Sequence, residues 1–241
     1  ALVVEVKRTR LLLDCGFGIR ETLARLSRLD LLPEDLTGIL ITHEHGDHIG
    51  GAVKFARRYE LPVWLTHGTF TNHALAQTLP DIRLIDGYSP FQAGEIEVQP
   101  FHVPHDAREP VQYAFGSGDR KLGVLTDTGG STPHIEAILS GCDALVLECN
   151  HDPDMLREGP YPPMLKQRVA GRFGHLDNGM AARLLASLDS SKLQHLIAAH
   201  LSEKNNTPEL ARAALSGILN CEPEWIGVAD QQDGFGWRQI L

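Results

Sequence analysis

The spacing of apolar and polar positions predicts strands and helices in a defined succession. Residues 3–6 and Thr9–Leu13 read as two strands around a Lys7-Arg8 turn. Ile19, Leu23, Leu26 and Leu29 recur at helical spacing, and Pro33 marks where that helix should end. The apolar runs 38–41 and 61–65 predict buried strands separated by a short helix over Ala52–Tyr59. A loop and helix carrying Thr66-His67-Gly68-Thr69 come next. Ile82–Ile85, 95–101, 111–115 and 121–125 predict successive strands. Helices over Pro133–Leu139, 178–188 and Pro208–Leu219 then alternate with strands over 144–147 and His195–Ala199, with 225–228 as a last strand. Thr132 and Thr207 are placed to cap two of those helices. Residues 152–173 are rich in Pro and Gly and show no clear period. Two strand-rich halves, each closed by helices, suit two sheets face to face with helices outside. The expectation is an α/β protein, a four-layer αββα sandwich, as one domain over 1–241.

Composition narrows this reading. At 241 residues and 42% hydrophobic content the chain can bury a large core. No apolar run approaches the ~20 residues of a membrane span, and no secretory signal is visible. The four cysteines (Cys15, Cys142, Cys149, Cys221) are scattered without Cys-x-x-Cys spacing, which fits a reducing cytoplasm. A formal charge of −9 argues against non-specific adhesion to nucleic acid but leaves a local basic stripe open. The first residues already read as a strand with no initiator Met, so the natural N-terminus is expected to be incomplete.

The chemistry concentrates in Thr42-His43-Glu44-His45-Gly46-Asp47-His48, delivered by the apolar run 38–41 and followed by Gly50-Gly51. Imidazole nitrogens and carboxylate oxygens at this density are metal ligands rather than core or plain surface. Three later polar residues follow apolar strands in the same manner: His105, Asp127 and His200. Strand ends hold ligands rigidly, and a common sheet edge can gather them. His102 lies three residues before His105, so on an extended strand the two face opposite ways; His105 is preferred and His102 is read as structural. Five imidazoles and two carboxylates exceed one tetrahedral site and suit two metals ~3.5–4 Å apart. The assignment gives His43, His45 and His105 to one ion, Asp47, His48 and His200 to the other, and Asp127 to both. Zn²⁺ suits the imidazoles, while the carboxylates leave room for Mn²⁺ or Fe²⁺.

His43-x-His45-x-Asp47-His48, followed by His105, Asp127 and His200 in order, resembles the metallo-β-lactamase superfamily across essentially the whole chain. The resemblance implies the αββα fold and a two-metal hydrolase, and it makes Asp14 a support for the metal loop. A narrower resemblance is to the YycJ/WalJ branch, bacterial cytoplasmic proteins related to ribonuclease Z and ribonuclease J. It is carried by Leu13-Asp14-Cys15-Gly16, His105-Asp106-Ala107, Glu148-Cys149-Asn150-His151-Asp152, Gly174-His175-Leu176-Asp177-Asn178 and His200-Leu201-Ser202-Glu203-Lys204-Asn205-Asn206. That branch implies 5′-to-3′ DNA exonuclease activity, and its members usually carry a Gly/Ser-rich loop before the first strand seen here.

The expected reaction is phosphodiester hydrolysis at a 5′-phosphorylated DNA end by a metal-bridging hydroxide. Asp47 orients the nucleophile, and His175 is the general acid or a phosphate contact. Glu148 and His151 are weighed as hydrogen-bonded supports of ligand histidines. Lys166, Arg168 and Arg172 lie in the one basic, aromatic-bearing stretch beside a candidate site residue, with Tyr161 among them, and are expected to contact the strand. His67, His73, His134 and His195 have no ligand-like setting. Two other readings stay open: a hydrolase of a small phosphodiester, thioester or lactam, and an accessory regulatory protein whose metal site is mainly structural.

Overall fold

The computed structural model describes residues 1–72, 78–79 and 81–241; of residue 72 it gives the backbone alone. His73 lies outside them. The chain divides into two compact units, one of Ala1–His102 with Ala107–Ser117, the other of Val103–Asp106 with Gly118–Leu241.

In the first unit, β1 (Leu2–Val6) and β2 (Thr9–Leu13) form an antiparallel hairpin. Lys7 turns it with φ +52°. β2 then runs parallel with β3 (Gly38–Leu40), β4 (Val63–Thr66) and β5 (Ile82–Ile85), in the order β1–β2–β3–β4–β5. α1 (Ile19–Ser27), α2 (Gly46–Ile49), α3 (Ala52–Tyr59) and α4 (His67–Asn72) occupy the connections. Leu12, Ile39, Ile41, Ile49, Phe55, Val63 and Leu65 belong to one buried cluster. Covering of both faces explains why β3 and β4 read as unbroken apolar runs rather than alternating ones. A second, antiparallel layer of β6 (Phe91–Ala93), β7 (Ile96–His102) and β8 (Val111–Ser117) ties onto the first. The fully buried Tyr113 donates its hydroxyl to Ile41 O at 2.8 Å, and Val111 N donates to Thr42 O at 3.1 Å. These bonds satisfy buried polar groups at the point where β3 gives way to the histidine-rich loop.

In the second unit, β9 (Arg120–Leu125), β10 (Ala144–Glu148), β11 (His195–Ala199) and β12 (Gly227–Val228) run parallel in the order β12–β11–β10–β9. α5 (Pro133–Leu139), α6 (Pro153–Glu158), α7 (Pro163–Val169), α8 (Asn178–Ser187) and α9 (Pro208–Leu219) make up its helices. Thr132, Asp152, Asp177 and Thr207 each accept a first-turn N–H, satisfying donors that a helix start leaves open. Register matters most here. Leu125 pairs with Leu147 and Glu148 with Ala199, so the carboxyl ends of three strands lie level.

Mixed sheets with flanking helices give the α/β class read from the sequence, with local corrections. α1 stops at Ser27 instead of running to Pro33, because Asp30 turns into the left-handed region at φ +56°; Pro33 opens a 3-10 turn over Pro33–Asp35. Trp225 belongs to a second 3-10 turn, and the last strand begins at Gly227. β6 was not foreseen; three residues are too short for a period to show. The unassigned stretch 152–173 contains α6 and α7, both opened by proline in the first turn. Among the described residues no helix is long and apolar enough to cross a membrane, and all four cysteines are free.

Candidate metal centre

The donor cluster of the first unit is built on one loop. Asp14 follows β2 with φ +58°, and its N–H donates to Leu40 O at 2.8 Å, which turns its buried carboxylate under the next strand end. That carboxylate accepts Thr42 N at 2.9 Å, the Thr42 hydroxyl at 3.0 Å and His48 Nδ1 at 2.8 Å. The Thr42 hydroxyl has one proton. Given to Asp14, it leaves the oxygen to accept from His43 Nδ1 at 2.9 Å. Both histidines are therefore held with Nδ1 protonated and Nε2 carrying a lone pair, the form a metal requires. His43 Nε2 lies 3.0 Å from His45 Nδ1, and His48 Nε2 lies 3.6 Å from Asp47 Oδ2. His43 and His48 are buried, whereas the Asp47 side chain is 73% exposed. A side chain at Gly16 would put its Cβ 1.8 Å from Asp47 O, so the loop after β2 lies directly on this one only because residue 16 has none.

The second unit assembles its cluster from distant stretches. Asp127 follows β9 with φ +51° and His200 follows β11 with φ +58°, both left-handed positions that a non-glycine residue occupies at a cost. Asn150 Nδ2 donates to His200 O at 3.0 Å and helps hold that turn. His105, Asp127, His175 and His200 converge. Asp127 Oδ1 stands 3.9 Å from His105 Nε2, 3.9 Å from His175 Nδ1 and 3.7 Å from His200 Nε2. These separations are too long for hydrogen bonds. They are near the spacing of atoms that share an ion, about 3.4 Å for tetrahedral ligands at Zn–N bond lengths. Asp127, Glu148, His175 and His200 form one group of donors able to hold an ion.

Glu148, the last residue of β10, lies behind this group and is 0% exposed. Its Oε1 receives His200 Nδ1 at 2.7 Å, His175 Nδ1 at 2.9 Å and Asp127 N at 3.1 Å; its Oε2 receives Leu176 N at 3.0 Å and Thr128 N at 3.1 Å. Burial by itself pushes this carboxyl up, but the hydrogen bonds from His175 and His200 outweigh it and hold it low. One anion thus fixes the tautomer of both histidines and the backbone on either side of the Asp127 turn. His105 is anchored by Gly174 O at 3.2 Å from its Nδ1, and burial lowers its pKa, which favours the neutral ring a metal binds.

The structure thus gathers His43, His45, Asp47 and His48 in one unit and His105, Asp127, His175 and His200 in the other. His102 is absent from both clusters; it reaches Pro110 O at 3.3 Å and packs on Tyr88. His151 is buried against Asn150 Oδ1 at 3.3 Å, and His195 meets Gln239 O at 2.9 Å. Of the basic residues, Lys166 donates to Arg157 O at 2.6 Å and Arg168 to Asp106 at 2.6 Å, while Arg172 lies over the Phe173 ring at 5.1 Å. Sequence reasoning raised Glu148 as a support of one histidine but missed that it holds two. Asn150 stands in the run that carries the branch resemblance, but its bond to the His200 carbonyl has no signal in the sequence.

Known proteins resemble this chain over most of its length. The family described as a β-lactamase superfamily domain matches residues 9–200. An exodeoxyribonuclease YycJ of Bacillus anthracis is 38% identical over 232 residues, 95% of this chain and 87% of that protein. An exodeoxyribonuclease WalJ of Streptococcus pneumoniae is 32% identical over 230 residues, 93% of this chain and 86% of that protein. The crystal structure of YhfI, a metallo-β-lactamase fold protein from Bacillus subtilis, superposes with a TM-score of 0.74 at 18% identity, over 98% of this chain and 90% of that one. The chain belongs to the metallo-β-lactamase superfamily of metal-dependent hydrolases, in its YycJ/WalJ-like branch.

Proposed function

We infer that the protein is a phosphodiesterase that removes nucleotides from a 5′-phosphorylated DNA strand, working 5′ to 3′. The observation that carries this reading is the pair of histidines on one buried carboxylate. Glu148 takes Nδ1 of both His200 and His175. His200 thereby turns Nε2 toward Asp127, as a ligand would. His175, half-buried, turns Nε2 away from that carboxylate; as an imidazolium, with its Nδ1–H on Glu148, it would give the Nε2 proton to a leaving oxygen and be left as the neutral Nδ1–H ring. The leaving oxygen of a phosphodiester needs a proton or a positive partner, because a bare alkoxide leaves poorly.

His43, His45, Asp47, His48, His105, Asp127 and His200 are assigned as ligands of two divalent ions, Zn²⁺ or Mn²⁺, with Asp127 shared. The donor chemistry of each cluster and the family support that assignment. Bound ions supply Lewis acidity, making water acidic and offsetting phosphate charge. Asp47, the exposed carboxylate of its loop, accepts a proton from attacking water or orients it. The exodeoxyribonuclease names of the 38% and 32% identical relatives support DNA as the substrate.

The test incubates Mn²⁺- or Zn²⁺-loaded protein with a 5′-phosphorylated, labelled strand, a 5′-hydroxyl strand, a small phosphodiester reporter and a thioester. Mononucleotides released from the phosphorylated strand, and slower release from the hydroxyl strand, are expected. Turnover of the small substrates alone would sink the exonuclease reading, and no turnover with either metal would favour a regulatory protein.

A further inference from the structure

Phe173 stands two residues before His175 and is 49% exposed, yet its backbone is fixed on several sides. Phe173 O accepts the N–H of Asp106, the neighbour of His105, at 3.1 Å. The two residues after it are held as well, Gly174 N donating to Gly171 O at 2.8 Å and His175 N to Val169 O at 2.9 Å. A Cβ on Gly129 would lie 2.2 Å from Arg172 O and 2.7 Å from Phe173 N, so this peptide rests directly on the turn that carries Asp127. A rigid backbone that holds a phenyl ring in solvent gives up the burial that would stabilise it.

The ring is not alone. The Arg172 guanidinium lies 5.1 Å from its centroid. Lys166 and Arg168 are engaged within the same stretch by Arg157 O and Asp106, whereas Arg172 is set on the ring. An aromatic face joined to a guanidinium is what stacks a base and attracts the adjacent phosphate in single-strand sites. α7, just upstream, contributes no buried residue to the core, and its Met164 is 82% exposed.

The geometry points to Phe173, backed by Arg172, as the platform on which the base of the strand's terminal nucleotide stacks, with its phosphate directed to the His105–Asp127–His175 donors. Phe173 is a positioning residue, acting through the base and not on the reacting atoms. This inference rests on the nuclease reading and deepens it: it explains how a site of small, generic ligands prefers a nucleotide end.

The experiment compares wild type, Phe173→Ala and Phe173→Trp on a 5′-phosphorylated single strand, the same strand with an abasic first nucleotide, and bis(p-nitrophenyl) phosphate. Binding of a fluorescent strand is also measured by anisotropy in EDTA. Phe173→Ala should raise KM for the strand about tenfold more than for the base-free reporter and weaken metal-free binding by a similar factor, with Phe173→Trp restoring both. For wild type the abasic strand should lose that same factor, and for Phe173→Ala it should lose nothing more. Equal losses on strand and reporter, or wild type indifferent to the abasic end, would overturn the platform. The nuclease reading fails separately, if wild type cleaves the reporter and no strand.

Discussion

Asp14 and Glu148 do the same work by different constructions. Each is a buried carboxylate just behind a donor cluster, and each receives Nδ1 of a histidine, His48 at 2.8 Å for Asp14 and His200 at 2.7 Å for Glu148. Asp14 serves a loop whose donors fall within six residues, and Thr42 shares its load by contacting both His43 and His48. Glu148 serves residues from 127 to 200 and has two histidines and three backbone N–H groups on it. A local cluster is positioned by chain geometry and needs one anchor. A dispersed cluster depends on sheet register and on a single hub, so damage to the hub should spread further.

His45→Ala and Asp127→Ala should each lose metal and with it all activity, one from each cluster. Metal content by mass spectrometry checks this, and full occupancy in either variant would remove its residue from the ligand set. His175→Ala should keep its metal but lose roughly 10²- to 10⁴-fold in turnover, the usual worth of a general acid; an active variant would end its proton-donor role. Glu148→Gln should lose about 100-fold in activity and Asp14→Asn about 10-fold, the two ends of the range for residues that orient ligands. Equal losses would mean that the hub and the local anchor are equivalent.

The smallest effect concerns His151, which burial keeps below its ordinary pKa of 6.5. The unfolded chain takes up a proton at 6.5 that the folded residue resists, so the stability it contributes is present above that pH. It is lost as pH falls through the lowered folded value. In metal-free protein His151→Gln should flatten the fall in urea midpoint below pH 6.5. A slope identical to wild type would assign acid sensitivity to other groups.

The two clusters also differ in how far they could be read in advance. His43, His45, Asp47 and His48 announce themselves by density, and the apolar run before them marks a strand end. His105, Asp127 and His200 were legible only because each follows an apolar strand. Glu148 follows one too, but a carboxylate ending a strand has many bland uses, and only the level register of β9, β10 and β11 puts it behind two histidines. α6 and α7 were unreadable because proline and glycine mask a short helical period, and α7 buries none of its residues. Arg168 reads as a contact for the strand; its pairing with Asp106, 62 positions away, is not visible along the chain.

The class of fold, the family and the types of donor present are legible in the order of the residues, because hydrophobic periodicity and donor chemistry are local properties. Tertiary structure alone decided which donors meet, which nitrogen of each histidine faces outward, and that Phe173 stands exposed beside them. Those outcomes depend on strand register, on left-handed turns at Asp14, Asp127 and His200, and on glycines whose missing side chains let loops touch. Register and loop contact are relations between residues far apart in the chain, and no window along it contains them.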